Sequence, residues 1–222
     1  MLVLRLQGPM QSWGLRARWD IRDTGTEPSK SAIVGMLGCA LGYHRNDKRL
    51  EEELDKSLSI GVRIDYPGVI ARDFQTVSGL HLNAEGKQVP KTIVSPRSYI
   101  FDASFTVVIE GPKQLLERCH DALLNPCWPI FLGRKSCPPI RPVVENLTTE
   151  FKTIQEALEK LPRETPVKES VRPEKLRCVI ETVDSDATRQ DALRINPMRI
   201  YSHRRVKIDF VSNPELKTGS GD

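Results

Sequence analysis

"DASFTVVIEGPKQLLERCHDALLNP", residues 102–126, sets the architecture. Its first half, 102–111, is a run of β-branched and aromatic residues closed by Gly111, and it predicts a strand. Its second half predicts a helix. Pro112 suits the first turn, Leu115, Leu116, Cys119 and Leu123 share one face, and Pro126 stops it.

The same order stands at the start of the chain. MLVLRLQG (1–8) alternates apolar and polar over positions 2–6 and predicts a strand, not a cleaved signal. GPMQSWG follows with three breakers, Gly8, Pro9 and Gly14. SKSAIVGMLGCALG (29–42) predicts a helix capped by Ser29 or Ser31, with Ile33, Leu37, Ala40 and Leu41 on one face. Gly35, Gly38 and Gly42 leave that helix nearly bare, at up to about 1 kcal/mol each. A closely packed sheet or a ligand backbone has to compensate. RLEEELDKSL (49–58) is expected to form a short helix or turn, and SIGVRIDY (59–66) a strand.

The resulting order is β-α-β, a long insertion, β-α-β and further strands. A split βαβ repeated twice is the ferredoxin-like pattern. The expectation is an α+β fold, an antiparallel sheet with helices on one face, in a single domain spanning 1–211. Residues 67–100 lose core character, and a structureless loop of that length is unusual. They are expected to form a β-hairpin arm, with RDFQTVSGL and KTIVSPRSY as its sides and NAEGKQ as its tip. WPIFLG (128–133) is expected to return as a strand. Residues 140–175 are read as an irregular insertion with one helix near IQEALEKL, and CVIETV (178–183) and MRIYSHRRVKIDFV (198–211) as strands. Residues 212–222 are read as a disordered tail.

Of 222 residues, 39% are hydrophobic and 28% charged, so a real core is affordable. No run approaches a membrane span. Five scattered cysteines without a CxxC pair argue against a disulfide framework or a zinc site, and for a reducing cytoplasm. The net charge of +4 is mild, but its distribution is uneven. Arg5, Arg16, Arg18 and Arg22 stand near the start; Arg194, Arg199, Arg204, Arg205 and Lys207 stand near the end. A fold that joins the first and last strands brings these stretches together; a solvated basic surface explains them nearly as well.

Three loops suit an anion. In FLGRKSCPP (131–139), Gly133 admits a phosphate to the backbone, Arg134 and Lys135 grip it, and Ser136 donates a hydrogen bond. A plain turn with basic residues facing water is an even alternative. A reactive Cys137 is disfavoured, because none of the four histidines falls in a catalytic motif. PSKSAIVGMLGCALG is not a P-loop, since Lys30 precedes the glycines, yet Lys30 and Ser31 at a helix start still suit an anion. Trp13 and Trp19 lie near arginines and suit base stacking or, more simply, core packing. Tyr201, His203, Arg204 and Arg205 suit metal-independent RNA cleavage, or a basic strand that holds RNA without cutting it. Asp184, Asp186 and Asp191 lack a cation motif and are read as a polar turn.

Taken in order, LRLQGPMQSWG, PSKSAIVGMLGCALG, RDFQTVSG, RSYIFDASFTVVI and FLGRKSCP closely resemble the Cas "five" family of repeat-associated proteins, in its CasD-type, type I-E CRISPR Cascade branch. The resemblance covers residues 1–140 well and the rest weakly. It implies a ferredoxin-like, RRM-like domain with a β-hairpin thumb, here 67–100. It implies a non-catalytic subunit that caps the 5′ handle of the CRISPR RNA, with no cofactor or metal. It further implies packing against backbone subunits and the large subunit, with target DNA reached only indirectly, near the thumb. Motif positions carried over are Gln11, Ser12, Trp13, Lys30, Ser31, Arg97, Tyr99, and Gly133 to Cys137, either touching the handle or shaping the site. Arg72, His203 and Arg204 join them as RNA-contact candidates. In another CRISPR subtype the family is the precursor-processing ribonuclease. That rival makes Tyr201, His203 and Arg204 the first catalytic suspects and Lys30 the second. A scaffold that binds only DNA or protein is the third class.

Overall fold

The computed structural model describes residues 1–15, 21–166, 169 and 172–217. Its elements are β1 (Leu2–Gln7), β2 (Met10–Gln11), α1 (Lys30–Ala40), β3 (Ser59–Tyr66), β4 (Val69–Leu82), β5 (Gln88–Phe101), β6 (Ser104–Glu110), α2 (Lys113–Leu124), β7 (Val144–Leu147), α3 (Ile154–Lys160), β8 (Lys175–Glu181), β9 (Ala187–Asn196), β10 (Met198–Ser212) and a short α4 (Pro214–Lys217).

A seven-stranded sheet runs β7-β1-β6-β3-β8-β10-β9. Its first four strands are the ferredoxin-like unit: in order of appearance they stand fourth, first, third, second, every neighbour antiparallel. β8, β10 and β9 extend it on the β3 side. The chain is α+β, and this part of the expectation holds.

β1 is buried along its whole length, so the two periods of its side chains enter two cores. Leu2, Leu4 and Leu6 join Phe105, Val107 and Ile109 under α1 and α2, while Val3 and Val108 pack with Ile154, Ala157 and Leu158 of α3. The helices therefore cover both faces, not one. Beneath α3, the buried Arg5 and Arg63 share the Asp65 carboxylate at 3.0 and 2.6 Å. They also donate to Pro162 O at 2.7 and 2.9 Å, which pins the chain leaving α3 onto the sheet. Burial of such charges is tolerated because each has its partner.

Two elements differ from expectation. WPIFLG forms no strand; its backbone is taken by a turn, Leu132 N–H to Cys137 O (2.7 Å), and by a bond to Ser12 N–H (3.0 Å). The fourth strand of the unit is instead β7, inside the stretch read as irregular, on the outer edge beside β1. β9 is the second difference. Ala187–Asn196 alternates polar and charged residues, which hides a strand whose edge is covered by protein. A single wide helical turn, Leu50–Asp55, supplies that cover: Asp55 accepts from Leu193 N–H (3.0 Å) and Glu51 from Ile195 N–H (2.8 Å).

β4 and β5 pair over fourteen residues each to form the arm, closed by Asn83–Lys87 with Gly86 at φ 74. Met10 and Gln11 pair with the arm's base. Trp19, Arg16 and Arg18 lie outside the described residues, as do 218–222 of the predicted tail; Pro214–Lys217 forms a helical turn. Among the described residues no helix is long and apolar enough to cross a membrane.

Candidate nucleic-acid interface

The bare face of α1 divides into two uses. Ser29 caps the helix, accepting from Ala32 N–H at 3.3 Å. A Cβ on Gly38 would meet Leu50 Cδ2 at 2.2 Å, so that glycine permits close packing on the wide turn. A Cβ on Gly35 would meet nothing within 4 Å. Gly35 faces a groove of about 400 Å³, whose near wall is Ser31, Ala32, Gly35 and Cys39.

The far wall is basic and aromatic. Arg22, Arg134 and Arg199 line it together with Phe131 and Tyr201, and among the described residues no carboxylate lines the groove. Arg22 is exposed, and Tyr201 is 43% exposed. Arg199 donates from Nη2 to Arg45 O (2.6 Å), and its buried Nε has no partner. Arg22 and Arg199 come from the two ends of the chain, so the basic stretches meet here. Three guanidinium groups against a bare helix suit a phosphate backbone.

Arg134 acts first as a clasp. It donates to Ser98 O (3.1 Å), Arg22 O (2.9 Å) and Asp23 O (3.0 Å), with its guanidinium 4.7 Å from the Tyr99 ring centre. Arg22 itself bonds the arm, N–H to Pro96 O at 3.0 Å and O from Ser98 N–H at 2.8 Å. The arm's base and the groove wall are thus one assembly. Gly133, at φ 94, completes it: a Cβ there would lie 1.8 Å from Ser12 O. Cys137 is buried under this turn, and burial pushes its thiol pKa up, so it packs and does not supply a thiolate at neutral pH. Lys135 and Ser136 are exposed, with Ser136 Oγ donating to the Tyr99 hydroxyl at 3.4 Å.

The remaining motif residues shape the site from inside. Gln11 is buried, donating to Leu6 O (3.2 Å) and Ala103 O (2.7 Å) and accepting from Trp13 Nε1 (3.2 Å). Trp13 and Tyr99 are 1% and 2% exposed, which leaves neither a free ring face for a base. Ser12 Oγ reaches Ser98 O at 3.4 Å.

The α1 N-terminus holds an anion already, the chain's own. Lys30 N–H donates to Asp191 Oδ2 (2.8 Å), its Nζ pairs with Glu181 (2.8 Å), and Arg204 grips Asp191 by two bonds of 2.9 and 2.8 Å. Asp191 is therefore the hub of a buried ion network, not part of a polar turn. Lys30 and Arg204 are fully engaged there. Of the rival catalytic set, Lys30, His203 and Arg204 line one cavity, while Tyr201 lines the separate groove. On the arm, Arg72 is exposed opposite Ser98, and Arg97 stands opposite Asp73 with its buried Nε unpartnered. No cluster of three metal-ligating side chains occurs among the described residues.

The sequence profile of the family described as CRISPR-associated protein (Cas_Cas5) matches residues 1–210. The chain belongs to the Cas5 family. It is 35% identical to the CRISPR system Cascade subunit CasD of Escherichia coli (strain K12) over 155 residues, 64% of this chain and 68% of that protein. A solved chain of a CRISPR RNA-guided surveillance complex superposes with a TM-score of 0.79 at 31% identity, covering 97% of this chain and 91% of that one. A crystal structure of a Cas protein gives 0.67 at 32% identity, covering 96% and 95%.

Sequence reasoning passes over Arg22, Arg199, Gly35 and Phe131 as site residues. Arg22 and Arg199 were visible as basic stretches, and Gly35 as an uncompensated glycine. Phe131 carried no signal of its own.

Proposed function

We propose that this Cas5 chain is a cytoplasmic subunit of a type I-E Cascade-like surveillance complex, where it holds the 5′ handle of the CRISPR RNA without cutting it. The observation that carries the reading is the groove: three arginines and two aromatics face a helix made bare at Gly35, with no acid between them among the described residues. RNA phosphates lie against Arg22 and Arg199, the backbone passes close over Gly35, and splayed bases meet Tyr201 and Phe131. Arg134, Gly133, Gln11, Ser12, Trp13 and Tyr99 fix the wall; Lys135 and Ser136 stand at its outer end.

Backbone and large subunits pack about the arm, which projects two exposed faces. One pairs Phe74 with Pro96 and Leu80 with Pro90. The other carries Asp73 and Arg97 at its base. Target DNA comes near the chain only through this arm, where Arg72 is exposed. Similarity to CasD and to the surveillance-complex chain supports this assembly.

The test is binding of a repeat-derived RNA, titrated with salt and without divalent metal. Arg22→Ala with Arg199→Ala is expected to weaken binding about tenfold or more and flatten the log–log salt slope by about two. The RNA stays full length on a denaturing gel. A discrete cut abolished by His203→Ala or Tyr201→Phe would make the chain a processing ribonuclease.

A further inference from the structure

Of the five free cysteines, three are buried, Cys39 is half-buried and Cys127 is exposed. The last two meet where the end of α1 faces the chain leaving α2. Cys127 N–H donates to Ala40 O at 2.9 Å. The Cys127 Sγ lies over Gly42, 2.9 Å from where a Cβ would stand, so the missing side chain lets the cysteine rest against the helix end. Gly42, at φ 76, is held beside Cys39 by its N–H to Cys39 O, 3.2 Å. From the other side, the Cys39 thiol donates to Trp128 O (3.7 Å) and Pro129 O (3.5 Å), the two residues after Cys127. Burial pushes the Cys39 thiol pKa up, and the nearby Cys127 raises it further, so each sulfur lies within the other's electrostatic reach.

The pair also stands at one end of the arginine groove. Cys39 lines its near wall, and Pro129, Ile130 and Phe131 line its far wall. The Cys39 thiol is thus a contact between the walls, and its proton ties the segment that presents Phe131 to α1.

Resting on the groove reading above, we infer that Cys39 and Cys127 form a reversible redox site, oxidised by a small disulfide such as glutathione disulfide, and that its oxidation loosens the grip on RNA. Cys127, the accessible thiol, attacks first as its thiolate. A mixed disulfide forms at Cys127, and one glutathione leaves as a thiol. Cys39 then attacks the Cys127 sulfur, and the second glutathione leaves. Two protein S–H bonds and one glutathione S–S bond break; one protein S–S bond and two glutathione S–H bonds form. The buried Cys119, Cys137 and Cys178 take no part. Oxidation removes the proton with which Cys39 holds Trp128 O and Pro129 O, and ties the chain at Cys127 instead. The far wall is re-seated and Phe131 loses its place in the groove. Cytoplasmic disulfides of this kind are transient and redox-sensing.

The test takes the full chain through glutathione buffers of falling thiol-to-disulfide ratio and quenches with N-ethylmaleimide. Products are mapped by peptide mass spectrometry, and binding of the repeat-derived RNA is measured in the same buffers. A linked Cys39–Cys127 peptide is expected, reversed by dithiothreitol. Cys39→Ser is expected to stop at the glutathione adduct of Cys127. The oxidised parent is expected to bind RNA about fivefold or more weakly, the loss of one base stacked on an aromatic ring. Cys127→Ser is expected to bind equally in every buffer. A lasting glutathione adduct on Cys127 of the parent, with no linked peptide, would overturn the pair. A linked peptide with unchanged RNA binding, while Arg22→Ala with Arg199→Ala still weakens it, would overturn the control of the grip and leave the groove standing. Unchanged binding in the double arginine variant would instead sink the groove reading, and with it the link between these thiols and RNA.

Discussion

Single glycines separate folding from function in this chain. Gly133 sits at φ 94 with Ser12 O where a Cβ would go, so Gly133→Ala is expected to cost several kcal/mol, more than the roughly 1–3 kcal/mol of backbone strain alone. Denaturant unfolding measures it. Gly35 is the contrast: a methyl group there meets nothing within 4 Å. Gly35→Ala is expected to stabilise the protein by up to about 1 kcal/mol through helix propensity, yet to weaken RNA binding. A variant that is both more stable and binds RNA as well as the parent would remove Gly35 from the interface. Both glycines are visible in the sequence, but their different roles are not, because a glycine's local pattern does not reveal what faces it.

At the scale of elements, the β-α-β order, the arm and the two principal helices were legible because each has strong periodicity and clear stops, as in Pro112 and Pro126 around α2. β7 and β9 were not. β7 is a short edge strand in a proline-rich stretch. β9 shows a polar alternation because its inward residues include Asp191, whose partners Lys30 and Arg204 lie far away in sequence. Aligned basic and polar motifs also led to Lys30 and Arg204 as RNA contacts, when long-range ion pairs had engaged both. Asp191→Ala is expected to cost about 3–5 kcal/mol, as removal of one member of a buried ion network does. Asp191→Asn keeps the shape and part of the hydrogen bonding, and is expected to cost less; equal losses in thermal or denaturant unfolding would contradict a charge-based role. The arm behaves differently. Two strands without a packed face are marginal alone, so amides near its tip are expected to exchange with solvent much faster than those of β1, β6 and β3. Uniform protection in native-state hydrogen exchange would contradict that.

Across the whole molecule, the two cores hold buried thiols that couple stability to alkaline pH. Burial pushes Cys119 up to about 11 and Cys178 up to about 12, from 9.0. Folded pKa values above the unfolded one mean that the native state keeps protons the unfolded chain loses. Their contribution is therefore whole below about pH 9 and declines as pH rises towards 11–12. Chemical unfolding at pH 8 and pH 10 is expected to show the loss, and replacing both cysteines by alanine to reduce that pH dependence, with the raised Cys137 thiol supplying part of the remainder. In the native protein Cys127, the exposed thiol, is expected to react with a thiol reagent before Cys119, Cys137 or Cys178, all of which are buried.

The same architecture that buries these groups gathers Arg22 and Arg199 from opposite ends of the chain onto one face of α1, and that placement is the central claim. It is tested most directly by photo-crosslinking a repeat-derived RNA, with 4-thiouridine near its 5′ end, to the full chain and mapping the adducts by mass spectrometry. Adducts are predicted within 31–39, 129–134 and 199–201. Adducts confined to the arm, or to the exposed face of α2, would contradict the account.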